Sequence, residues 1–267
     1  MLAPAQLDRL IIILVGARNP NNIGAAARAM SNFGFPHLRI VNTYQVAFQE
    51  ARSAVGAADL LASAQQCSSL QQAIADCTLV IGTTAVGDRE LHHPLHRLEA
   101  AAPLIQNHLA HSAPPNAPAP RAAVLFGSEK TGLSNEDLSH CHWLLRIPTR
   151  AEHISMNLGQ AVALCVYELV RQGPESQTES QTGSHVEEHP ATESASTSSA
   201  GLDRLLSLLV EALQASGYIK PDPDATTLQK IRRLILRLNP SSDDIEILLG
   251  MLRQFLWKLK HQATPVK

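Results

Sequence analysis

Apolar residues follow two rhythms along this 267-residue chain. Short continuous runs stand at 10–15, 38–41, 78–81, 122–126 and 144–147. Longer stretches with apolar positions three or four apart stand at 23–33, 57–63, 70–75 and 157–170. The first rhythm marks strands buried on both faces, the second helices with one apolar side. Their alternation through residue 171 predicts an α/β domain, a parallel sheet flanked by helices. Past residue 200 only the helical rhythm remains, with helices expected over 203–215, 227–238 and 243–260. Pro221, Pro223 and Asn239-Pro240 punctuate them, and Asp243 is the expected cap of the last. Residues 172–200 are nearly free of large apolar side chains. Such a segment buries too little surface to offset its ordering entropy and reads as a disordered linker, roughly 30 Å end to end as a flexible coil. The expected organisation is a domain over 1–171, a linker over 172–200 and a small all-α domain over 201–267.

The net charge of −2 argues against a uniformly basic nucleic-acid coat, but it is unevenly spread. Residues 1–171 balance twelve basic against twelve acidic side chains, and 172–200 hold five Glu with no Lys or Arg. Residues 201–267 hold ten basic against seven acidic side chains. The linker therefore masks a mildly basic remainder, with the excess on the C-terminal helices. Aromatics make up only 4%, too few for a base-stacking platform. Four Cys show no paired spacing, which fits a reduced, cytoplasmic setting. No stretch resembles a signal peptide, and the run 10–15 is too short to cross a membrane.

In open parallel sheets, ligands sit beyond the carboxyl ends of the strands. Three segments follow strand ends here. The first, Arg18-Asn19-Pro20-Asn21-Asn22-Ile23-Gly24, turns into a helix that carries Arg28. It is neither G-x-G-x-x-G nor a Walker A loop, which removes the usual dinucleotide and NTP readings. Asn21 or Asn22 is the expected helix cap, and Arg28 points back towards the helix start. Such a start offers backbone amides and a guanidinium to a phosphate; a capped helix with a surface arginine is the plain alternative. The second, Phe126-Gly127-Ser128-Glu129-Lys130-Thr131-Gly132-Leu133, places glycines around a polar turn, where backbone can approach a ligand closely. The third runs from Ile147-Pro148 through Ile154-Ser155-Met156-Asn157-Leu158 into a long apolar helix. Ser155 and Asn157 taken singly could be caps only. Thr83, Thr84 and Ala85 close a further strand.

In this order, N-x-N-I-G-x-x-x-R, F-G-x-E-x-x-G-L, I-P and S-x-N-L-x-x-A resemble the motifs of the SPOUT class of RNA methyltransferases, in the branch that methylates ribose 2′-oxygens. The resemblance covers residues 9–171 and is nearest the TrmJ type, the tRNA (cytidine/uridine-2′-O)-methyltransferases. Asn42 and the helical C-terminal extension also fit that type. The resemblance implies S-adenosylmethionine as methyl donor, a C-terminal trefoil knot in the catalytic domain, and a homodimer acting on tRNA at the first nucleotide of the anticodon loop, position 32. By motif, it implies that Arg28, Asn22, Glu129, Ser155 and Asn157 serve catalysis. Thr83, Thr84, Ala85, Gly127, Ile147, Ile154, Ser155, Met156 and Leu158 would hold the cofactor. Gly159 stands where many relatives have Ser, and Ser128 where some have Arg. Two competing readings keep the scaffold: an inactive RNA-binding module, and a 2′-O-methyltransferase for rRNA or another tRNA position. A dehydrogenase would need the missing glycine fingerprint.

The methyl donor is already activated, so the residues must position the ribose hydroxyl and help it lose its proton. Arg28 is an awkward base, because a guanidinium holds its proton above about pH 12. A phosphate contact and stabilisation of charge on the 2′-oxygen suit it better. Twelve His invite a metal reading, densest at His92-His93-Pro94-Leu95-His96, yet no Glu or Cys completes a zinc pattern and no metal is expected. Arg18, Lys230, Arg232, Arg233 and Arg237 are candidate RNA contacts; the last four are equally the solvated side of an amphipathic helix.

Overall fold

The computed structural model describes residues 2–41, 56–85, 93–111, 118–171 and 197–262. Asn42, His92 and most of the expected linker lie outside these described residues. A short helix α1 (Pro4–Leu7) leads into β1 (Leu10–Val15), α2 (Pro20–Asn32) and β2 (His37–Val41). Then come α3 (Ala58–Ser63), β3 (Gln65–Cys67), α4 (Leu70–Ile74), β4 (Leu79–Thr83), β5 (Leu95–Arg97) and α5 (Leu98–Ala110). The domain continues with β6 (Ala122–Phe126), α6 (Asn135–Ser139), β7 (Trp143–Arg146) and α7 (Leu158–Arg171). Three further helices follow, α8 (Ser199–Ala215), α9 (Ala225–Leu238) and α10 (Ser242–Gln262).

The sheet order is β3-β2-β1-β6-β4-β7-β5 and every pairing is parallel. β1 shows why its run is apolar throughout. Ile12 and Leu14 face one core with α2, α5 and α7, while Ile11 and Ile13 face a second with α4 and α6. The period of two in a strand thus feeds two layers from one sequence. β6 is fully buried and lies between β1 and β4, with Ala122 level with both Leu10 and Leu79. This order brings the carboxyl ends of β1, β6, β4 and β7 side by side, so loops distant in sequence converge.

The five expected strands and the seven expected helices form within a few residues of their expected limits. Two caps are reassigned and one helix starts earlier than expected. Asn19, rather than Asn21 or Asn22, accepts from the Asn21 amide to start α2. Ser241, rather than Asp243, starts α10: its hydroxyl accepts from the Asp244 amide, and its own amide donates to that carboxylate. α8 begins at Ser199 with Ser198 as its cap, earlier than its apolar rhythm.

α8–α10 pack round Leu205, Leu206, Ile235, Ile245 and Leu249. This bundle sits against the amino-terminal edge of the sheet. The Ser199 amide and hydroxyl donate to the Cys77 carbonyl at 2.8 and 3.0 Å, and the Ala200 amide donates to Ala75.

A cleft built by three loops

Beyond the carboxyl ends of β4, β6 and β7 lies a cleft of about 340 Å³. Thr83, Thr84 and Ala85 form one wall, Gly127 to Leu133 a second, and Ile147, Thr149, Ile154, Ser155, Met156 and Leu158 the third. All nine expected cofactor contacts line it. Phe126, Leu138, Leu145, Thr149 and Ala161 also line it and were not among the expected cofactor contacts, although Phe126 and Ala161 belong to the quoted motifs. Thr149 stands directly after the Ile147-Pro148 pair, which was its one sequence signal.

Each wall is fixed locally. The Thr83 hydroxyl donates to the Leu125 carbonyl at 2.8 Å, and the Thr84 amide donates to Leu145, tying β4's end to both neighbours. The second loop closes through the Gly132 amide on the Ser128 carbonyl and the Thr131 amide on the Ser128 hydroxyl. A Cβ on Gly127 would lie 2.1 Å from the Gly132 carbonyl carbon and the Leu133 nitrogen, so backbone occupies the place a side chain would need. The third loop is held by the Thr149 hydroxyl donating to the Ile154 carbonyl at 3.2 Å.

At the mouth, three motif residues from three loops form one chain of hydrogen bonds. The Asn157 amide group donates to Asn22 Oδ1 at 2.8 Å, and Asn22 Nδ2 donates to Glu129 Oε1 at 2.9 Å. Backbone amides of Arg18 and Asn19 also donate to Glu129, at 3.3 and 3.4 Å. Asn157 Oδ1 meanwhile accepts from the Gly159 amide and caps α7. Burial pushes the Glu129 carboxyl up, but the bonds from Asn22, its own amide, Arg18 and Asn19 outweigh it, and its pKa falls below the ordinary value. The cleft therefore presents a fixed anion at its mouth and an apolar floor of Leu145, Ile147, Leu158 and Ala161. That combination fits a ligand with a flat apolar ring and a positively charged group.

Arg28 is not among the lining residues. It is exposed on α2, with its guanidinium against Gly56, where a Cβ would be 3.5 Å from Nη1. Arg18 meets the network through its backbone. Gly159 has a packing reason: a Cβ there would lie 2.6 Å from the Ala25 Cβ, so α2 and α7 are in near backbone contact.

The sequence comparisons agree with this geometry. Residues 9–167 match the model of the SpoU rRNA Methylase family. The chain belongs to that family. Residues 200–264 match the C-terminal domain of tRNA methyltransferase TrmJ, so the SpoU fold here carries the TrmJ extension. The tRNA (cytidine/uridine-2′-O-)-methyltransferase TrmJ of Sodalis glossinidius (strain morsitans) is 34% identical over 97% of this chain and 94% of its own. Its counterpart in Klebsiella pneumoniae subsp. pneumoniae is 32% identical over 92% and 96%. The crystal structure of TrmJ from Z. mobilis ZM4 superposes with a TM-score of 0.72 at 28% identity, covering 91% of this chain and 97% of that one.

The expected basic strip is corrected in one position. Arg232 turns inward rather than to solvent, with 15% of its side chain exposed. Its Nη1 donates to Glu136 Oε1 at 3.0 Å and to the Ser139 hydroxyl at 2.8 Å, and Nε is 4.0 Å from Asp203. It clasps the helical bundle to α6, the helix behind the second cleft wall. Among the histidines, His37 pairs with Asp8, His142 accepts from the Val80 amide, and His96 packs edge-on against Trp143. Among the described residues no three His, Cys, Asp or Glu gather as metal ligands. Nor is any described helix long and apolar enough to cross a membrane.

Proposed function

We propose that this protein transfers a methyl group from S-adenosylmethionine to a ribose 2′-oxygen of tRNA, at position 32, on a cytidine or uridine. The observation that carries the reading is the cleft: the second and third motif loops and the 83–85 strand end line it, and Glu129 stands at its mouth, bonded to Asn22 of the first motif. S-adenosylmethionine, when bound, supplies a methyl group on a positively charged sulfur. The apolar floor holds the adenine, and backbone groups at Thr83, Thr84, Gly127 and Met156 fix its orientation. Glu129 offers an anion to the positive end, and Asn22 and Asn157 keep that carboxylate aimed. With the cofactor bound, the chain would hold the ribose and a neighbouring phosphate so that the 2′-oxygen faces the methyl group in line, and the 2′ proton would pass to solvent. Arg28 contacts that phosphate and steadies the charge growing on the 2′-oxygen, while Ser155 at the cleft edge orients the ribose.

The same proposal includes a homodimer, the trefoil threading of the chain through the loops after β6 and β7, and a cytoplasmic location, where tRNA is met. Leu164 and Tyr167, 40% and 46% exposed on α7, give an apolar face suited to a two-fold contact. The test is methyl transfer from labelled S-adenosylmethionine to tRNA, with the product mapped by mass spectrometry. A 2′-O-methyl pyrimidine at position 32 supports the reading. Cofactor binding without transfer to tRNA would favour an rRNA substrate, and absence of cofactor binding would leave an RNA-binding module.

A further inference from the structure

The third wall of the cleft is the least supported by packing. Thr149 is half-buried, but every residue from Arg150 to Ser155 is exposed. Ile154, Ser155 and Met156 nevertheless stand on the cleft. The segment is anchored at both ends. Pro148 restricts the backbone as it leaves β7, and Asn157 caps α7 and bonds Asn22. Between these anchors, among the described residues, a single hydrogen bond ties the wall back to the β7 end, from the Thr149 hydroxyl to the Ile154 carbonyl at 3.2 Å. The other bond in the segment, from the His153 amide to the Arg150 carbonyl, only turns the chain at its tip. Thr149 is β-branched, so few rotamers are open to its hydroxyl. Ile154 adds a second observation. It lines the cleft, yet it is 39% exposed. An apolar side chain so placed gains burial only when a ligand fills the space beside it.

We infer that Thr149 is a positioning residue for the methyl donor: its hydroxyl, acting through the Ile154 carbonyl, holds the 154–156 wall at the span the cofactor occupies, and Ile154 covers the bound cofactor. The inference rests on the S-adenosylmethionine reading above. A segment of exposed residues left free would have to be ordered as the cofactor enters, and that ordering weakens binding. The Thr149 bond does the ordering beforehand. Met156, whose backbone orients the adenine, is two residues beyond the Ile154 carbonyl, so movement at the bond reaches it directly. The Asn157–Asn22–Glu129 chain is held from α2 and α7 and does not run through the Thr149 bond. Loss of the hydroxyl is therefore read in cofactor affinity rather than in turnover.

The experiment uses the full chain and three variants. Thr149→Val keeps the shape and removes the donor, Thr149→Ser keeps the donor, and Ile154→Thr keeps the branching but makes the side chain polar. Calorimetric titration with S-adenosylmethionine is expected to show Thr149→Val binding about three- to tenfold more weakly, the weight of one neutral hydrogen bond. The KM for the cofactor should rise by the same factor, with kcat within about twofold, and Thr149→Ser should restore both. In cofactor-free protein, backbone order parameters at His153 to Met156 should fall in Thr149→Val, not in Thr149→Ser, and those of β6 should stay as they are. Ile154→Thr should weaken binding about threefold or more at an unchanged thermal midpoint, because that side chain is exposed until the cofactor enters. Wild-type affinity in Thr149→Val overturns the inference, as do equal losses in Thr149→Val and Thr149→Ser. A fall in order parameters across β6 with a lower thermal midpoint makes Thr149 a general structural residue and overturns it too. Wild-type affinity in Ile154→Thr overturns the covering role. Should wild-type protein bind S-adenosylmethionine but transfer no methyl to tRNA, the function proposed above fails and the role of Thr149 stands on the affinities.

Discussion

Asn157 combines two duties in one side chain. Its oxygen caps α7 through the Gly159 amide, and its nitrogen feeds the Asn22–Glu129 chain. Asn157→Asp keeps the cap but replaces the donor with a second acceptor facing Asn22 Oδ1. Methyl transfer is expected to fall at least tenfold while the thermal midpoint moves by no more than a few degrees, as read by single-turnover kinetics and calorimetry. A parallel loss of stability would assign Asn157 to the cap alone. Asn157→Ala removes both duties and should also cost about 1 kcal/mol in urea unfolding. At this scale the motif letters were legible in the sequence, but not their partners. Nothing in the chain order says that Asn22 bonds Glu129 across more than a hundred residues, or that Arg232 abandons its helix neighbours for Glu136. Those are decided by which strands end side by side.

Between elements, the tightest contact is α2 on α7. Gly159→Ala forces a methyl to within 2.6 Å of the Ala25 Cβ and should destabilise by about 1–3 kcal/mol in urea unfolding. Adding Ala25→Gly should recover most of that loss, a coupling of the kind seen between touching residues. Full additivity of the two substitutions would remove the contact from the account. The long apolar strands were read from sequence nearly to the residue because burial on both faces leaves no polar position in them. β3 and β5 were missed. They are three-residue, mostly polar edge strands, Gln65–Cys67 and Leu95–Arg97, whose pairing comes from the neighbour rather than from their own side chains. α5 was also missed. Pro103 interrupts its helical signal, yet Leu98, Ala101, Ala102, Ile105 and Leu109 bury a continuous stripe that outweighs one lost backbone bond.

For the molecule as a whole, the catalytic domain and the helical bundle act as one unit because α6 serves both. Its partners are the cleft wall on one side and Arg232 on the other. Burial raises the Asp203 carboxyl, and the Arg232 charge opposes that rise. Arg232→Leu should cost about 1–3 kcal/mol and speed amide exchange in α8 and α9 more than in β1 and β6. Uniform exchange changes would deny the clasp a local role. Acid should act on the same border. Burial holds the pKa values of His108, His140 and His142 down at about 4, against 6.5 in the unfolded chain. The unfolded state therefore binds protons first, and stability present above pH 6.5 is lost as the pH falls towards 4. The urea midpoint should track this fall. His142→Asn, which keeps an acceptor for the Val80 amide, should make it shallower by on the order of 1–3 kcal/mol at pH 4.5. An unchanged pH profile in that variant would show that His142 does not contribute.

The near contact of Gly159 with Ala25 also has a history in it. A lineage that places Ser at the first position must make room at the second, and the only smaller residue is glycine. Across the family the two positions should therefore change together, Gly with Ala or Ser with Gly. Chains carrying Ser opposite Ala should show their two helices set further apart, with the Asn22 and Asn157 side chains no longer within reach of one another.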